Sequence, residues 1–356
     1  MNLSAPTARA GADDACVDTL MRPLRDLRLS VIDQCNFRCT YCMPKDVFTR
    51  DYPFLRAAER LSFEEMVQLS KSFVALGVEK IRITGGEPLL RKDLPRLVDA
   101  LARLETPAGK PVEIAMTTNG SLLAAHARTL RDAGLARVTV SLDALDDGVF
   151  RAMNDVDFPV ARVLEGIEAA VAAGLAPVKV NAVISKTQNV HQVLPLARHF
   201  RHSGVHLRFI EYMDVGGADG WVLDQVVTAA AMRAQIEREF ALSPQAAGRA
   251  SDTAETFRYA DGGGDVGFIA SISAPFCGDC TRARVSADGK LFTCLFASHG
   301  LDLRPSLRAG QTQQLEEAVR ASWRARTDRY SEQRGARLAS PGAKRYPVVR
   351  MSLVGG

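Results

Sequence analysis

Six short runs rich in β-branched residues alternate with five amphipathic segments between residues 25 and 213, and no other feature constrains the fold so much. The runs cover 25–32, 78–84 (VEKIRIT), 112–118 (VEIAMTT), 136–143 (ARVTVSLD), 176–184 (APVKVNAVI) and 205–213 (VHLRFIEYM). Short stretches of this composition between turn residues favour strands. The segments 63–76, 94–104, 122–133, 160–173 and 190–202 repeat apolar residues at i, i+3 and i+4, the period of a helix laid on a core. Ser62 followed by Glu65 is a capping-box signature, and Gly77, Gly134, Gly174 and Gly204 stand where helices close. Strands alternating with helices imply an α/β fold with parallel strands and right-handed crossovers. Six units are too few for an eight-fold barrel, so a partial barrel and an open doubly wound sheet both remain. In either, ligands bind at the carboxyl ends of the strands.

The pattern changes after Gly216. A helix over 228–240 leads to strand-like segments with turn signals DGGGD and ADGK, then a last clear helix over 313–323 and a Pro/Arg-rich tail ending MSLVGG. The expected layout is a flexible extension (1–22), a main unit (23–244), a smaller unit (245–340) and a tail (341–356). The 47% hydrophobic and 24% charged residues place the chain among soluble globular proteins. A net charge of +4 with no run of five basic residues gives no case for nucleic-acid binding. No stretch of 18 apolar residues offers a membrane span, and Asp13 and Asp14 interrupt any leader-like segment. A cytoplasmic location is expected, where clustered cysteines serve as metal ligands or catalytic groups rather than disulfides.

Residues 35–42 read CNFRCTYC, three of the seven cysteines spaced C-x3-C-x2-C in the loop after the first strand. Four thiolates hold a cubane iron–sulfur cluster, so three leave one iron open. Zinc, a thioredoxin-like redox pair and chance spacing compete with that reading, although Cys35 is an awkward third zinc ligand and no helix starts at Cys39. Residues 277–294, CGDCTRARVSADGKLFTC, hold a second trio spaced C-x2-C-x13-C. It reads either as a zinc ribbon with a fourth ligand such as His299, or as a second three-thiolate cluster. Arg282 and Arg284 alternate beside it and share one strand face, a pairing that suits phosphate or carboxylate. Arg28, Arg82 and Lys179 lie in strands too, and cations pointing into a barrel need anionic partners. A small polyanion between the two trios is the simplest occupant. GGGDVG (262–267) fits a dinucleotide fingerprint in spacing but opens no helix, so it reads as a hairpin loop.

The first motif, with an aromatic before its last cysteine, resembles the radical S-adenosylmethionine (SAM) superfamily. That resemblance implies an open iron that chelates SAM and a 5′-deoxyadenosyl radical made by reductive cleavage. It places Tyr41, Gly86 and Glu87 (in TGGEP), Ser141 and Met213 at the SAM site. The ordered set LRLSVIDQCNFRCTYCMP, KIRITGGEPLLRKDL, TTNGSLL, VSLDALDD, RFIEYMDVG, FCGDCTRARVSADGKLFTCLF and terminal MSLVGG is similar to the GTP 3′,8-cyclase family of molybdenum cofactor biosynthesis (molybdenum cofactor biosynthesis protein A). This family implies an incomplete (β/α)6 barrel whose mouth a smaller C-terminal α+β domain closes. It implies two [4Fe-4S] clusters, on Cys35, Cys39 and Cys42 and on Cys277, Cys280 and Cys294. The reaction implied is H3′ abstraction from GTP and C3′–C8 bond formation. Arg28, Arg82, Thr117, Lys179, Arg282, Ala283 and Arg284 would line the GTP site. Arg28, Arg82, Arg282 and Arg284 would join Gly355 and Gly356 of the tail as the catalytic set. Partners implied are an electron donor, the next pathway enzyme (cyclic pyranopterin monophosphate synthase) and a second copy of the chain. Residues 1–22 match no part of the family pattern, and Thr281 stands where Asn is expected. A peptide-modifying radical SAM maturase and a non-catalytic zinc scaffold are the rival readings.

Overall fold

A computed structural model of the chain describes residues 16–215, 221–338 and 350–355. Six strands run parallel in sequence order: β1 (Asp26–Ser30), β2 (Lys80–Thr84), β3 (Glu113–Thr118), β4 (Arg137–Ser141), β5 (Lys179–Ile184) and β6 (His206–Glu211). Helices α1 (Phe63–Ala75), α2 (Leu94–Ala102), α3 (Leu123–Asp132), α4 (Asp147–Asn154), α5 (Val160–Ala172) and α6 (Val193–Phe200) form the crossovers. This is the incomplete β/α barrel: β1 and β6 are not paired with each other. The doubly wound alternative is ruled out, because β1 to β6 lie side by side in chain order without the reversal that such a sheet requires.

Local chemistry explains the boundaries. Ser62 Oγ accepts from the Glu65 amide at 3.1 Å while Glu65 accepts from the Ser62 amide at 2.7 Å, closing the capping box of α1. Gly77, Gly134, Gly174 and Gly204 all adopt positive φ just past helix ends. The 190–202 segment splits into a short 3-10 turn (Val190–Gln192) and α6. Helix α4 has no counterpart among the expected elements, since its eight residues show only a brief apolar period.

The rest of the chain extends both edges of the same sheet. After α7 (Ala229–Glu237) come β7 (Leu242–Pro244), β8 (Glu255–Tyr259) and β9 (Asp265–Ile269), and β9 pairs parallel with β6. Then β10 (Arg282–Val285) pairs parallel with β1 and continues into β11 (Lys290–Phe292) and β12 (Leu301–Asp302). The first three glycines of GGGDVG lie in the hairpin turn between β8 and β9, its DVG opens β9, and ADGK turns β10 into β11. Helices α8 (Arg304–Arg308), α9 (Thr312–Arg324), α10 (Tyr330–Leu338) and α11 (Met351–Val354) complete the order. Among the described residues no helix is long and apolar enough to cross a membrane.

Two expectations need correcting. Residues 1–15 lie outside the described residues, but 16–22 are no loose extension: Val17 bridges Pro23, and Cys16, Asp18 and Arg22 are buried. The helical part of the chain also does not stop at 323. Helix α10 escapes a periodicity reading because polar contacts hold it. Arg334 pairs with Asp214 at 2.8 Å and lies over the Tyr330 and Phe296 rings, while the Tyr330 hydroxyl donates to Asp214 at 2.7 Å.

Glu211, at the end of β6, joins the barrel to the later strands. Its fully buried carboxylate accepts from the amides of Ala229 (2.7 Å), Ile272 (2.7 Å) and Ser273 (2.8 Å) and from the Ser273 hydroxyl. Glu211→Gln turns an NH2 toward these donors. It should cost about 2–3 kcal/mol of stability, read as a lower urea midpoint at unchanged m-value; an unchanged midpoint would deny the seam this role.

Candidate active site

The loop 35–42 leaves the carboxyl end of β1 and is clamped from three sides. From α4, the carbonyls of Met153 and Asn154 accept from Thr40 (3.0 Å) and Arg38 (2.9 Å), and Asn154 Oδ1 lies 3.3 Å from Cys39 Sγ. From the β2 turn, Gly86 N donates to Ile32 O at 2.7 Å, and a Cβ on Gly86 would stand 2.2 Å from Gln34 O. From β3, Asn119 Nδ2 reaches Cys35 Sγ at 3.7 Å. Glu87 fastens the turn to β3, accepting from the Asn119 amide (2.7 Å), the Thr118 hydroxyl (2.7 Å) and the Leu89 amide (3.0 Å).

All six clustered cysteines are free thiols that line one cavity of about 700 Å³ between the barrel and the later strands. Burial pushes the Cys35 thiol up to about 11 and Cys42 up to about 12. Burial, then repulsion from Cys35 and Cys42, raises the Cys39 thiol well above its ordinary value. Three thiolates packed together without a cation are therefore unfavourable, and a cationic metal core would relieve them. In the second trio burial raises Cys294 to about 11. Burial also opposes ionisation of Cys280, but the Arg282 and Arg326 guanidiniums outweigh it and bring the thiol down to about 6. Arg282 donates to Cys280 Sγ at 3.2 and 3.3 Å. The donor chemistry of both trios suits thiolate-bound iron. Among the described residues no three His, Cys, Asp or Glu side chains converge into a cage for a single ion. His299, the suggested fourth zinc ligand, is exposed, bonds Ser298 at 2.9 Å and does not line the cavity.

Strand register fills the space between the trios with positive charge. Arg28 of β1 stands opposite Arg284 of β10 on one side and Arg82 of β2 on the other. Like charges directly opposite repel. Burial, then Arg284 and Arg82, push the Arg28 guanidinium well below the usual arginine range. Burial and then Arg282 push Arg284 down to about 10. Burial and then Arg208 push Lys179 down to about 8. Arginine keeps its proton in proteins, so this pressure is unmet demand for an anion. Among the described residues neither Arg28 nor Lys179 has an ion-pair or hydrogen-bond partner. Arg82 has only neutral ones: Thr139 (3.2 Å), Thr117 (3.3 Å) and the Met116 carbonyl (3.4 Å).

Tyr41, Gly86, Thr117, Ser141, Lys179 and Met213 line this cavity with Arg28, Arg82, Arg282 and Arg284. Two expected contacts do not. Glu87 is fully buried and spends its carboxylate on its own chain. The Ala283 side chain packs in the core, on the strand face opposite Arg282 and Arg284, so only its backbone can meet a ligand. Gly355 accepts from Arg284 Nη1, and a Cβ there would stand 1.9 Å from Thr84 Oγ1. Gly356 lies outside the described residues.

Sequence reasoning missed Asp143 and Arg208. Asp143 accepts from the Tyr41 hydroxyl (2.7 Å) and the Val183 amide (2.8 Å), and burial lifts its carboxyl to about 6. Arg208 lines the cavity and donates to Asn181 at 3.0 Å. Its signal was the one that marked Lys179, a cation within an apolar strand.

The Radical SAM superfamily model matches residues 29–200, and the model for Molybdenum Cofactor Synthesis C matches 205–332. A GTP 3′,8-cyclase of Xanthomonas campestris pv. campestris (strain 8004) is 52% identical over 339 residues, covering 95% of this chain and 97% of that protein. Those of Acidothermus cellulolyticus and Staphylococcus aureus (strain bovine RF122 / ET3-1) are 48% and 44% identical, each over 95% of this chain and 98% of theirs. Among solved structures, Streptococcus suis SuiB bound to S-adenosylmethionine superposes with a TM-score of 0.56 at 16% identity, over 84% of this chain and 68% of that one. At that identity it shows a shared fold alone.

The Glu87 clamp carries a pH signature. Burial lifts its carboxyl to about 7 against the pull of its three donors. A carboxyl raised in the folded state stabilises fully below its unfolded value of 4.5, and that contribution is lost as pH rises through about 7. In cluster-free protein, stability should fall more from about pH 5 to about pH 8 in wild type than in Glu87→Gln, which cannot ionise. Parallel thermal-melt profiles would show that Glu87 does not titrate in that window.

Proposed function

The chain belongs to the GTP 3′,8-cyclase family of the radical SAM superfamily, and from that membership we propose that its cavity cyclises GTP between two iron–sulfur clusters. It is a radical SAM enzyme of molybdenum cofactor biosynthesis, with SAM and a [4Fe-4S] cluster as cofactors. The observation that carries the finer reading is the row Arg284–Arg28–Arg82, an unneutralised cationic strip between two thiol trios.

Cys35, Cys39 and Cys42 would hold the first cluster, and Cys277, Cys280 and Cys294 the second. When bound, the first cluster and SAM would supply a 5′-deoxyadenosyl radical able to take H3′ of GTP; bonding C3′ to C8 would leave an unpaired electron on the guanine, so formation of the cyclised product, 3′,8-cyclo-GTP, would also consume one electron from the external donor and one proton. The chain's own work is positioning, which matters most when a reactive group attacks whatever lies nearest. Gly86 offers backbone beside the first trio, and Ser141 and Met213, which line the cavity at the ends of their strands, would face SAM. Tyr41 lies on the same wall, its ring held by the bond to Asp143. Arg28, Arg82, Arg284 and Lys179 meet the triphosphate, with Thr117 beside Arg82. Arg282, already bonded to Cys280, stands where the second trio meets the row. Gly355 places a carbonyl on Arg284, so the tail shares the strip with the substrate.

Reduced, reconstituted protein should convert SAM to 5′-deoxyadenosine only when GTP is present, measured by chromatography with ATP and peptide mixtures as controls. Turnover that needs a peptide and ignores GTP would overturn the reading. Gly355→Ala, whose methyl group collides with Thr84, should cut GTP-dependent turnover by on the order of tenfold or more while leaving the melting temperature near wild type; full activity would place the tail outside the reaction.

A further inference from the structure

Residues 16–22 pack beneath the second cysteine trio, and nothing in the reaction described so far uses them. Two guanidiniums from opposite ends of the chain meet there. Arg22 donates through Nη1 to the carbonyls of Cys277 (2.7 Å) and Asp328 (2.8 Å), and through Nε to Asp18 Oδ2 (2.5 Å). Arg326 donates through Nη1 to the carbonyl of Cys280 (2.7 Å) and to the same Asp18 oxygen (3.4 Å). Each cysteine of the C-x2-C turn is thus held by its own arginine, and both arginines are referenced to one carboxylate. The three side chains are 2% exposed or less. Backbone contacts lock the arrangement: Trp323 Nε1 donates to the Arg22 carbonyl at 3.0 Å, and the Thr19 hydroxyl to the Arg326 carbonyl at 2.6 Å.

Stability alone explains this poorly. Buried ion pairs are weak stabilisers beside apolar packing of similar volume. Arg22 Nη2 and Arg326 Nε are buried without a hydrogen-bond acceptor, and Asp328, 3.5 Å from that Nε, takes its short bond from the Thr293 hydroxyl at 2.5 Å. What the pair does achieve is geometric. It holds the negative ends of two peptide dipoles on the arginine side of the turn while both thiols line the cavity. Partners behind the ligands orient metal ligands and tune the metal they hold.

We propose that Arg22, Asp18 and Arg326 are positioning residues for the second iron–sulfur cluster, which makes residues 16–22 part of that site. This inference rests on the two-cluster reading above. Two variants test it after anaerobic reconstitution. Arg22→Lys keeps the charge and loses the fork. The pair Arg22→Met/Asp18→Leu removes both charges, so that no carboxylate is stranded if the single variant fails to fold. Wild type should hold about eight iron per chain, and the folded variants about four. Their remaining reduced-state EPR signal should still respond to SAM. About eight iron with a wild-type spectrum in the folded double variant would overturn the positioning role. About four iron in wild type itself would overturn the two-cluster reading instead, so the two failures are distinguishable.

Discussion

Three guanidiniums side by side inside a barrel set the terms for the molecule around them. Arg284, Arg28 and Arg82 occupy matching positions on three adjacent strands. Parallel strands have fixed register, and a one-residue slip would send every side chain to the opposite face. The row therefore cannot relax by sliding. It persists because apolar packing behind it, including fully buried Leu27, Leu29, Ile81, Ile83 and Ala283, holds the strands in place. Repulsion that the free protein cannot relieve is available to any anion that enters.

The row also explains why the site needs both halves of the chain. Arg284 belongs to a strand that follows the barrel by some seventy residues of sequence, yet it pairs directly with β1. The opposite edge is stitched by Glu211 and by the contacts of Asp214 with α10. These two acidic groups close the end of β6, in the stretch that also supplies Met213. The later strands are thus structural members of one twelve-stranded sheet, and the cavity exists only where they flank the barrel.

Much of this was legible in the sequence because it rests on short-range rules. Period marks α1 and α5, a capping box marks the start of α1, glycines mark helix ends, and cysteine spacing marks both trios. The residues that escaped depend on distant partners. Nothing in VSLDA says that Asp143 will bond a tyrosine about a hundred positions earlier, and nothing in YSEQRGARL announces α10. Asp18 and Arg22 read as part of a flexible polar extension because the groups they bind lie at the other end of the chain. Glu87 and Ala283 show the converse case, side chains that do not face the cavity. Each sits inside a motif whose neighbours face the cavity, but strand alternation turns Ala283 away and three local donors consume the Glu87 carboxylate.

Two glycines expected to meet ligands are, physically, points where the chain approaches itself. A Cβ on Gly86 would strike the Gln34 carbonyl, one residue before Cys35, and a Cβ on Gly355 would strike Thr84, two residues before Gly86. The Cys35 loop, the β2 turn and the tail are therefore stacked in contact. From that stack the Gly355 carbonyl reaches Arg284, beside the second trio. The tail thus touches the turn that supports the first trio and the arginine row that leads to the second. A side chain at either glycine would separate layers whose contact sets the distance between the two ends of the cavity. The requirement for glycine at both positions follows from that spacing, whatever the cavity holds.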